Sequence, residues 1–436
     1  MIKNNLVIRI DNEDIYTLEN EYIDYNLGDN SILTYTFWDK NLKPLPNFFS
    51  DEALDLFYLS LSVFGADRIL LREYGENAWK RNIKLHIPVL SIQKWEQNKG
   101  LIESILNFLS GDNWELVFRK RVLTKKEKEF KNEIEQSDEK FEFDKLCMFS
   151  GGLDSFIGVI DAIEKFPEDK FLFVSHYGGG KGVREYQKAL FTALNETYSL
   201  DSYAFYSFYA SAKNGIEDTT RTRSLMFFAH AILLGTAMQK NVTLLIPENG
   251  YISLNIPLTN SRLGSSSTRT THPYYMKLLQ NLLSNLNIDI YLENPYQFKT
   301  KGEMILECKN IDFLKENLAN TMSCSHPDLG RLYGESNTAH CGTCLPCVIR
   351  RASIRKANIL DTSSYRDQNF ESGLTAKMNL MSYNIGLKKY NKKYSFMNIQ
   401  NSGPISENIS DFVKVYDRGM DELKELLESI HEQISI

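Results

Sequence analysis

The sequence predicts an α/β protein built on a parallel sheet with helices on both faces. Between residues 145 and 300, five apolar, strand-like runs alternate with segments of helical apolar spacing, which is typical of such a sheet. A glycine-rich turn, Ser150-Gly151-Gly152-Leu153-Asp154-Ser155, follows the first of these runs and precedes a helical pattern. A cluster of cysteines lies downstream, between residues 324 and 347. These observations indicate a ligand-binding α/β core with an attached metal-binding segment.

The composition is that of an ordinary soluble globular protein. The chain has 436 residues, of which 42% are hydrophobic and 24% charged, so it has room for two or three domains. Its net charge of -6 does not indicate a broad nucleic-acid-binding surface. The longest apolar run, residues 225–238, is too short to span a bilayer, and the first strand-like run does not resemble a signal peptide. We therefore expect a cytoplasmic protein that does not associate with membranes.

The N-terminal part of the chain is expected to form a separate α+β domain over residues 1–122. Alternating and helical apolar patterns predict strands at 6–10, 32–37, 83–89 and 114–118, and helices at 53–64 and 94–109. We find no motif for chemistry there, which favours a docking or scaffolding role. Residues 123–144 are dense in Lys, Glu and Asp and are interpreted as a charged linker or an exposed helix.

The nucleotide-binding domain is predicted over residues 145–322. Its predicted strands are 145–149, 171–175, 202–208, 242–247 and 288–293, and its helices include 183–194, 224–238 and 274–286. Ligands of such folds bind at the carboxyl ends of the strands, where the motifs of this chain cluster. A metal-binding segment is expected at 323–355 and a C-terminal helical extension at 356–436, in which residues 412–430 are amphipathic.

The glycine-rich turn is predicted to bind phosphate. A strand, a glycine turn and a helix together present free backbone N–H groups at a helix N-terminus. The turn lacks Gly-Lys-Ser/Thr, so it is not the P-loop of kinases and GTPases. The alternatives are an ordinary strand-to-helix turn and, for Asp154, an acidic residue favoured there by the helix dipole. The predicted phosphate contacts are Ser150, Gly151, Gly152, Leu153, Asp154 and Ser155.

The cysteine cluster is predicted to bind a metal ion. Cys341, Cys344 and Cys347 are each separated by two residues, and Cys324 lies upstream. Four thiolates suit a tetrahedral Zn²⁺, with His326 and His340 as alternates. A reactive dithiol and an iron–sulfur cluster are the alternatives. Cys147 and Cys308 stand apart and are interpreted as buried apolar residues.

The two motifs together resemble a known family. The glycine turn resembles the SGGxDS loop of the ATP pyrophosphatase (PP-loop) superfamily, whose fold is adenine nucleotide alpha hydrolase-like. With the downstream C…CGxCxxC, residues 145–355 resemble QueC, the 7-cyano-7-deazaguanine synthase family. Tyr177-Gly178, Arg223-Ser224 and Thr300-Lys301-Gly302-Glu303 are similar to further segments of that family. The N- and C-terminal extensions and residues 247–255 are similar to the QatC group, the QueC-like proteins of the Qat anti-phage defence system.

The resemblance implies an ATP-dependent C–N ligase. The QueC family adenylates the carboxylate of 7-carboxy-7-deazaguanine, forms an amide with ammonia and then dehydrates it to a nitrile. It implies ATP and Mg²⁺ as cofactors, with structural Zn²⁺ at the four cysteines. The implied catalytic residues are Asp154, Lys301 and Arg223, and Tyr177 joins the nucleotide contacts. Arg269, Thr270 and His272 stand where the family has a short PDCR segment and are interpreted as substrate contacts, with a structural role as the alternative for His272.

The implied partners are ATP, a deazaguanine-like carboxylate and a protein of the same defence system. This protein would dock on the N-terminal domain. Three alternatives stay open at this point. The chain could be a housekeeping synthase of queuosine biosynthesis, or a nucleotide-binding scaffold without turnover. A PP-loop thiolase acting on RNA is the third, although the acidic net charge does not favour it.

Overall fold

The computed structural model describes residues 4–178, 181–213, 215–258, 269–330, 334 and 338–434. It contains two β-sheets with helices packed around them and a C-terminal group of helices. None of the helices in these described ranges combines the length and the apolar character that crossing a membrane requires.

The first sheet belongs to the N-terminal region and is parallel throughout. Its strand order is β2-β1-β4-β5, formed by β1 (Asn4–Arg9), β2 (Ile23–Asn26), β4 (Asn82–Val89) and β5 (Asn113–Lys120). Helix α1 (Asp51–Ile69) precedes β4, and α2 (Ile92–Ser110) connects β4 to β5. Because β4-α2-β5 is a parallel crossover unit, this region differs from the predicted α+β organisation. Strand β2 was not predicted, since only one of its four side chains is buried.

The second sheet carries the predicted nucleotide-binding core. Its order is β10-β9-β6-β7-β8-β3, and every pair is parallel except the edge pair β3–β8. The strands are β3 (Leu33–Tyr35), β6 (Lys145–Met148), β7 (Phe171–Tyr177), β8 (Phe205–Ala212), β9 (Val242–Leu245) and β10 (Ile290–Glu293). The five strands predicted between residues 145 and 293 are confirmed, with small shifts at their ends.

Four helices connect these strands: α4 (Leu153–Lys165), α5 (Lys181–Tyr198), α6 (Arg223–Thr236) and α8 (Pro273–Asn285). The β6-β7-β8 connections run in one direction across the sheet, and the β8-β9-β10 connections run back. Right-handed crossovers therefore place α4 and α5 on one face and α6 and α8 on the other. The predicted α/β class, a parallel sheet flanked by helices, is confirmed. Gly179 and Gly180, which follow β7, lie outside the described residues.

The N-terminal region packs directly on this core. Strand β3 completes the second sheet, α1 packs against α6, and one continuous apolar core contains residues of both regions. The rings of Phe37 and Phe208 stack with centroids 5.2 Å apart. The predicted charged linker contains α3 (Lys125–Glu135), which starts with a Thr124–Glu127 capping box and buries Glu127 and Ile134. This segment is therefore packed along part of its length.

The C-terminal part of the chain is helical, as predicted. It follows the short helices α7 (Gly250–Ser253), α9 (Lys301–Leu306) and α10 (Ile311–Glu316) and the longer α11 (Leu345–Lys356). Helices α12 (Leu374–Lys389), α13 (Ser395–Ser402) and α14 (Ile409–Ile434) share a second apolar core with residues of α11. Helix α14 packs against α7, α11 and α13, which brings the C-terminal helices next to the end of the second sheet.

Candidate active site and metal centre

The candidate site lies at the topological switch point of the second sheet. From β6 the chain proceeds to β7 on one side, whereas β9 and β10 lie on the other side of β6. In open parallel sheets ligands bind outside the carboxyl ends of the two strands that flank such a point. Here those strands are β6, which leads into the glycine turn, and β9, which ends at Leu245 and is followed, after two residues, by Glu248 and Asn249. The fold therefore brings the principal sequence motif to the expected place.

Gly151 sets the shape of the turn. Its φ of +81° lies in the left-handed region that favours glycine. A Cβ atom at this position would lie 2.9 Å from Cγ of Gln187, a residue of α5. The Gln187 side-chain amide in turn donates to the carbonyl oxygens of Ser150 and His176, at 3.0 and 3.1 Å. The turn is thus fixed from outside by a buried glutamine.

The start of α4 offers backbone N–H groups to an anion. Gly152 is the N-cap residue, and no side chain caps the helix there. The Ser150 hydroxyl accepts from the Gly152 N–H at 3.3 Å and lies 3.0 Å from the Ser155 hydroxyl. Oγ of Ser323 is 3.4 Å from the Leu153 nitrogen, longer than a typical N–H···O bond. A helix N-terminus with this geometry suits phosphate oxygens.

Asp154 and Lys301 form a buried ion pair in the site. Their Oδ1 and Nζ atoms are 3.0 Å apart, and the two residues are 6% and 4% exposed. The second carboxylate oxygen of Asp154 accepts from the backbone and side-chain nitrogens of Asn249, at 3.1 and 2.6 Å. The structure therefore links the ends of β6 and β9 to Lys301 through one carboxylate.

Lys301 lies at a helix position that is unfavourable for a positively charged side chain. Lys301 is the first residue of α9, and a cation at a helix N-terminus is disfavoured by the helix dipole. Thr300 and Glu303 form a capping box that fixes this start. The Thr-Lys-Gly-Glu sequence therefore forms the N-terminus of a helix. Helix α14 supports it, because Glu422 accepts from the Thr300 hydroxyl and Arg418 pairs with Glu303 at 2.5 Å.

Glu248 belongs to the site but was not among the predicted site residues. It directly follows the strand predicted at 242–247, and this position at the carboxyl end of a parallel strand was the available signal. Burial and the nearby negative charge of Asp154 raise the pKa of Glu248 to about 8, while Lys301 acts in the opposite direction. The side-chain amide of Asn294, which follows β10, donates to the Glu248 carbonyl oxygen at 2.9 Å.

Tyr177 and Arg223 lie near the same edge of the sheet. Tyr177 ends β7, next to β6, and its ring lies 5.5 Å from that of Tyr209. Arg223 is exposed at the first position of α6, and none of the described residues forms an ion pair with it. The pKa of the buried His176 is lowered by burial and then by the charge of Arg223. The side chain of Lys181, at the start of α5, lies outside the described part of the chain.

The three predicted substrate residues are held by contacts with other elements. Arg269 places its guanidinium 4.3 Å from the Phe108 ring and donates to the Phe108 carbonyl at 2.7 Å. His272 is fully buried and is the N-cap of α8, where Nδ1 accepts from the Tyr274 N–H at 3.2 Å. Its Nε2 lies 3.1 Å from Oγ of Ser402. Burial lowers the pKa of His272 to about 3, with a smaller effect of Arg269.

These contacts favour the structural alternative for His272, since both ring nitrogens are occupied and the ring stays neutral near pH 7. Arg269 is anchored on α2 in the described structure. Thr270 is partly exposed beside it. A role of Arg269 and Thr270 in substrate binding stays a prediction.

The four predicted metal ligands come together. The sulfur atoms of Cys324, Cys341, Cys344 and Cys347 all lie within 4.8 Å of one another, and two pairs are 3.9 Å apart. Zn–S bonds of about 2.3 Å place the sulfurs of a regular tetrahedron about 3.8 Å apart, so the spacing fits this ion. Hydrogen bonds from the neighbouring thiols, first that of Cys324, lower the pKa of Cys341. Cys147 and Cys308 are buried elsewhere, as predicted.

The local backbone explains the spacing of these ligands. Cys344 is the N-cap of α11 and Cys347 lies in its first turn. Gly342 has a φ of +87°, and a Cβ there would lie 1.8 Å from the Asp367 carbonyl oxygen. The Arg350 side chain, in the second turn of the same helix, donates to the Thr321 hydroxyl at 2.6 Å and to the Leu318 carbonyl at 2.9 Å.

The cysteine cluster and the glycine turn are directly connected. The Met322 N–H donates to the Gly151 carbonyl at 2.8 Å, and Ser323 approaches the Leu153 nitrogen. Cys324 is the next residue in the chain. A metal ion at the cluster would therefore fix the segment that contacts the turn.

Comparison with known proteins gives no assignment. No protein-family model matches the sequence, and no curated protein matches it. The case for a function therefore depends on the residues and their geometry.

Proposed function

We propose that this protein is an ATP-dependent C–N ligase of the QueC type that adenylates a deazaguanine-like carboxylate in anti-phage defence. The observation that carries the proposal is the glycine turn at the switch point, with Asp154, Lys301 and Glu248 gathered beside it. The resemblance to the PP-loop superfamily supports the same assignment. A plain strand-to-helix turn does not require a buried lysine at the start of a neighbouring helix.

The proposed reaction begins with attack of a substrate carboxylate oxygen on the α-phosphorus of ATP. The bond from this phosphorus to the bridging oxygen breaks, and pyrophosphate leaves with the bonding electrons. The free N–H groups at the start of α4 would hold the pyrophosphate as its charge develops. An amine nitrogen then attacks the acyl carbon, AMP leaves, and the nitrogen loses a proton to give the amide.

Lys301 and Arg223 supply positive charge in this scheme. Lys301 is held by Asp154, and the exposed Arg223 stands on α6 without an ionic partner among the described residues. Developing negative charge on the transferred phosphate is stabilised most strongly by cations that are already in position. A cation fixed at a helix start meets this requirement better than a flexible surface lysine.

The residues present also suit Mg²⁺. Asp154 and Glu248 offer carboxylate oxygens at the ends of adjacent strands, the donor type that Mg²⁺ prefers. A divalent ion would offset the burial and the negative charge of Asp154, which together raise the pKa of Glu248. When bound, Mg²⁺ would neutralise charge on the phosphate oxygens, and these carboxylates would orient it.

The four cysteines are proposed to hold a structural Zn²⁺. All four protein ligands are thiols and the cluster is mostly buried, which describes a closed site with no open position for chemistry. Its role here is to hold residues 322–324 against the glycine turn.

Pyrophosphate release tests the proposal. We expect the wild-type protein to release pyrophosphate from ATP when 7-carboxy-7-deazaguanine is present, and Asp154→Asn to lose at least about tenfold of this rate. Asp312→Asn, at an exposed surface ion pair, is the matched control and should keep the rate. A wild-type protein that binds ATP and the acid but releases no pyrophosphate would instead support a nucleotide-binding scaffold.

The acceptor is tested separately. We propose a protein amine of a partner from the same defence system as the acceptor, which would dock on the N-terminal region. Incubation with ATP, 7-carboxy-7-deazaguanine and candidate partners should increase the intact mass of one partner by the mass of 7-carboxy-7-deazaguanine less one water, because the acyl group forms an amide. Free nitrile with no mass change in any partner would show the housekeeping reaction.

A further inference from the structure

A cavity that is lined by cations lies beside the candidate active site, since its lining residue Arg184 contacts Tyr177. It has a volume of about 320 Å³ and lies beside β8 and α5. The cationic lining residues are Lys40, Arg184 and Lys188, and the remaining lining includes Ser207, Tyr203 and Phe205. Lys40 comes from the N-terminal region, so the cavity exists only because that region packs on the core. We propose that this cavity binds a phosphate-bearing small molecule with at least two negative charges.

The three cations lack ionic partners among the described residues, although the Arg184 guanidinium lies over the Tyr177 ring, 4.8 Å from its centroid. None of the described residues forms an ion pair with Lys40, Arg184 or Lys188. Asp39, the nearest carboxylate along the chain from Lys40, instead lies 3.8 Å from Lys126. Three like charges facing one small volume repel one another, and a bound anion would remove this repulsion.

The carboxylates at the rim are already engaged. Asp201 accepts from the Tyr203 N–H at 2.8 Å, and Glu139 accepts from the Tyr203 hydroxyl at 2.7 Å. Neither of them lines the cavity. Among the residues that the structure describes, the lining is therefore cationic, aromatic and neutral polar, with no acidic side chain.

A buried hydroxyl points to a polar ligand. The Ser207 Oγ atom is buried and has no hydrogen-bond partner among the described residues. Buried hydroxyls nearly always have a partner, and a phosphate oxygen in the cavity would provide one. Burial and then the charge of Arg184 lower the pKa of Lys40, while Asp39 acts in the opposite direction.

The aromatic lining sets the ligand class. Phe205 is stacked on Phe191 with centroids 4.6 Å apart, and Tyr206 donates its hydroxyl to the Asn41 carbonyl. These rings form a rigid wall beside the cations. The volume accommodates a pyrophosphate, or a mononucleotide whose base lies on this wall. Pyrophosphate and a mononucleotide both carry phosphate groups, and the footprinting experiment below distinguishes between them.

Lysine footprinting tests the proposal at residue level. The full-length protein is treated with formaldehyde and cyanoborohydride at low ionic strength, alone, with inorganic pyrophosphate and with AMP, and peptides are analysed by mass spectrometry. We expect pyrophosphate to slow dimethylation of Lys40 and Lys188 but not of the exposed Lys309. Stronger protection by AMP would show that the base also binds. Because the signal is read at Lys40, phosphate binding at the glycine turn does not produce it.

Two variants make the test specific. Arg184→Gln should raise the pyrophosphate concentration for half-protection of Lys40 by about tenfold or more, since each charged hydrogen bond to phosphate is lost. Arg355→Gln, at an exposed arginine of α11, is the matched control and should leave it unchanged. Ser207→Ala should raise it by a smaller factor. Equal protection of Lys309, or no protection of Lys40 by either anion, would overturn the proposal.

Discussion

The buried pair of Asp154 and Lys301 permits a quantitative test of the candidate site. At 3.0 Å and an effective dielectric constant of about 20, two unit charges attract each other by about 5.5 kcal/mol. Desolvation of both groups offsets much of this attraction, so the net contribution of the intact pair is small. Removal of one partner is different, because it leaves the other charge buried. We expect Lys301→Met to lower the free energy of unfolding by about 3–5 kcal/mol.

The two single variants should differ in a defined order. In Lys301→Met, Asp154 is left as a buried carboxylate without a cation, because Glu248, whose pKa is raised to about 8, is mostly protonated at pH 7. In Asp154→Asn, Glu248 loses the negative charge that helps to raise its pKa, so it can ionise and balance Lys301. Lys301→Met should therefore be the more destabilising change. The double variant removes both charges and should lose less than the sum of the singles, by about 2 kcal/mol.

Urea unfolding followed by far-ultraviolet circular dichroism measures these values, at pH 7 and without nucleotide. The control is the exposed pair of Asp312 and Lys315, 3.2 Å apart, where Lys315→Met should cost less than about 0.5 kcal/mol. Equal losses for Lys301→Met and Lys315→Met, or additive single losses, would refute the geometry described here.

Three further predictions address the same region. Glu248 has a folded pKa of about 8 against an ordinary value of 4.5, so its contribution to stability is full below pH 4.5 and is lost as the pH rises through 8. The melting temperature of wild type relative to Glu248→Gln should therefore fall across this pH range. A difference in melting temperature that stays constant with pH would contradict the assignment. Cys344→Ser should reduce bound zinc from one ion per chain to a small fraction, as measured by plasma mass spectrometry. Cys308→Ser should retain the zinc, and equal zinc in both variants would exclude the four-cysteine site. Gly151→Ala should lower the free energy of unfolding in urea by about 1–2 kcal/mol, because φ is +81° and Gln187 is close. The control Gly100→Ala, in α2 with open space around it, should be neutral or stabilising. A neutral Gly151→Ala would show that the turn has another shape.

The sequence was sufficient for the parts of the fold that local patterns determine. The alternation of apolar runs predicted the core strands and helices between residues 145 and 300, because buried parallel strands and amphipathic helices have distinct periods. It did not predict that β3 joins the second sheet, because a three-residue edge strand carries almost no signal of its partner. It also gave no indication that residues 1–122 share a core with the rest, since that depends on contacts between α1 and α6.

In the candidate site, too, some residues were predictable from local sequence patterns and others only from tertiary contacts. The four cysteines were predictable because three of the ligands are separated by two residues and a tetrahedral site requires such turns. His272 was ambiguous in sequence, because the ring that caps a helix and the ring that contacts a substrate look alike until burial is known. Glu248 was missed because its significance comes from β9 lying beside β6, a pairing that follows from the crossover through α6.

The position of Lys301 connects the core with the C-terminal helices. Its helix is short, begins with a cation and is covered by α14 through Glu422 and Arg418. A helix of six residues has little stability of its own, so the orientation of Lys301 depends on those tertiary contacts. The cysteine cluster supports the glycine turn in a similar way, since residues 322 and 323, which precede Cys324, contact the turn. The C-terminal extension and the cysteine cluster are therefore parts of the support that holds the motifs at residues 150–155 and 300–303 in place.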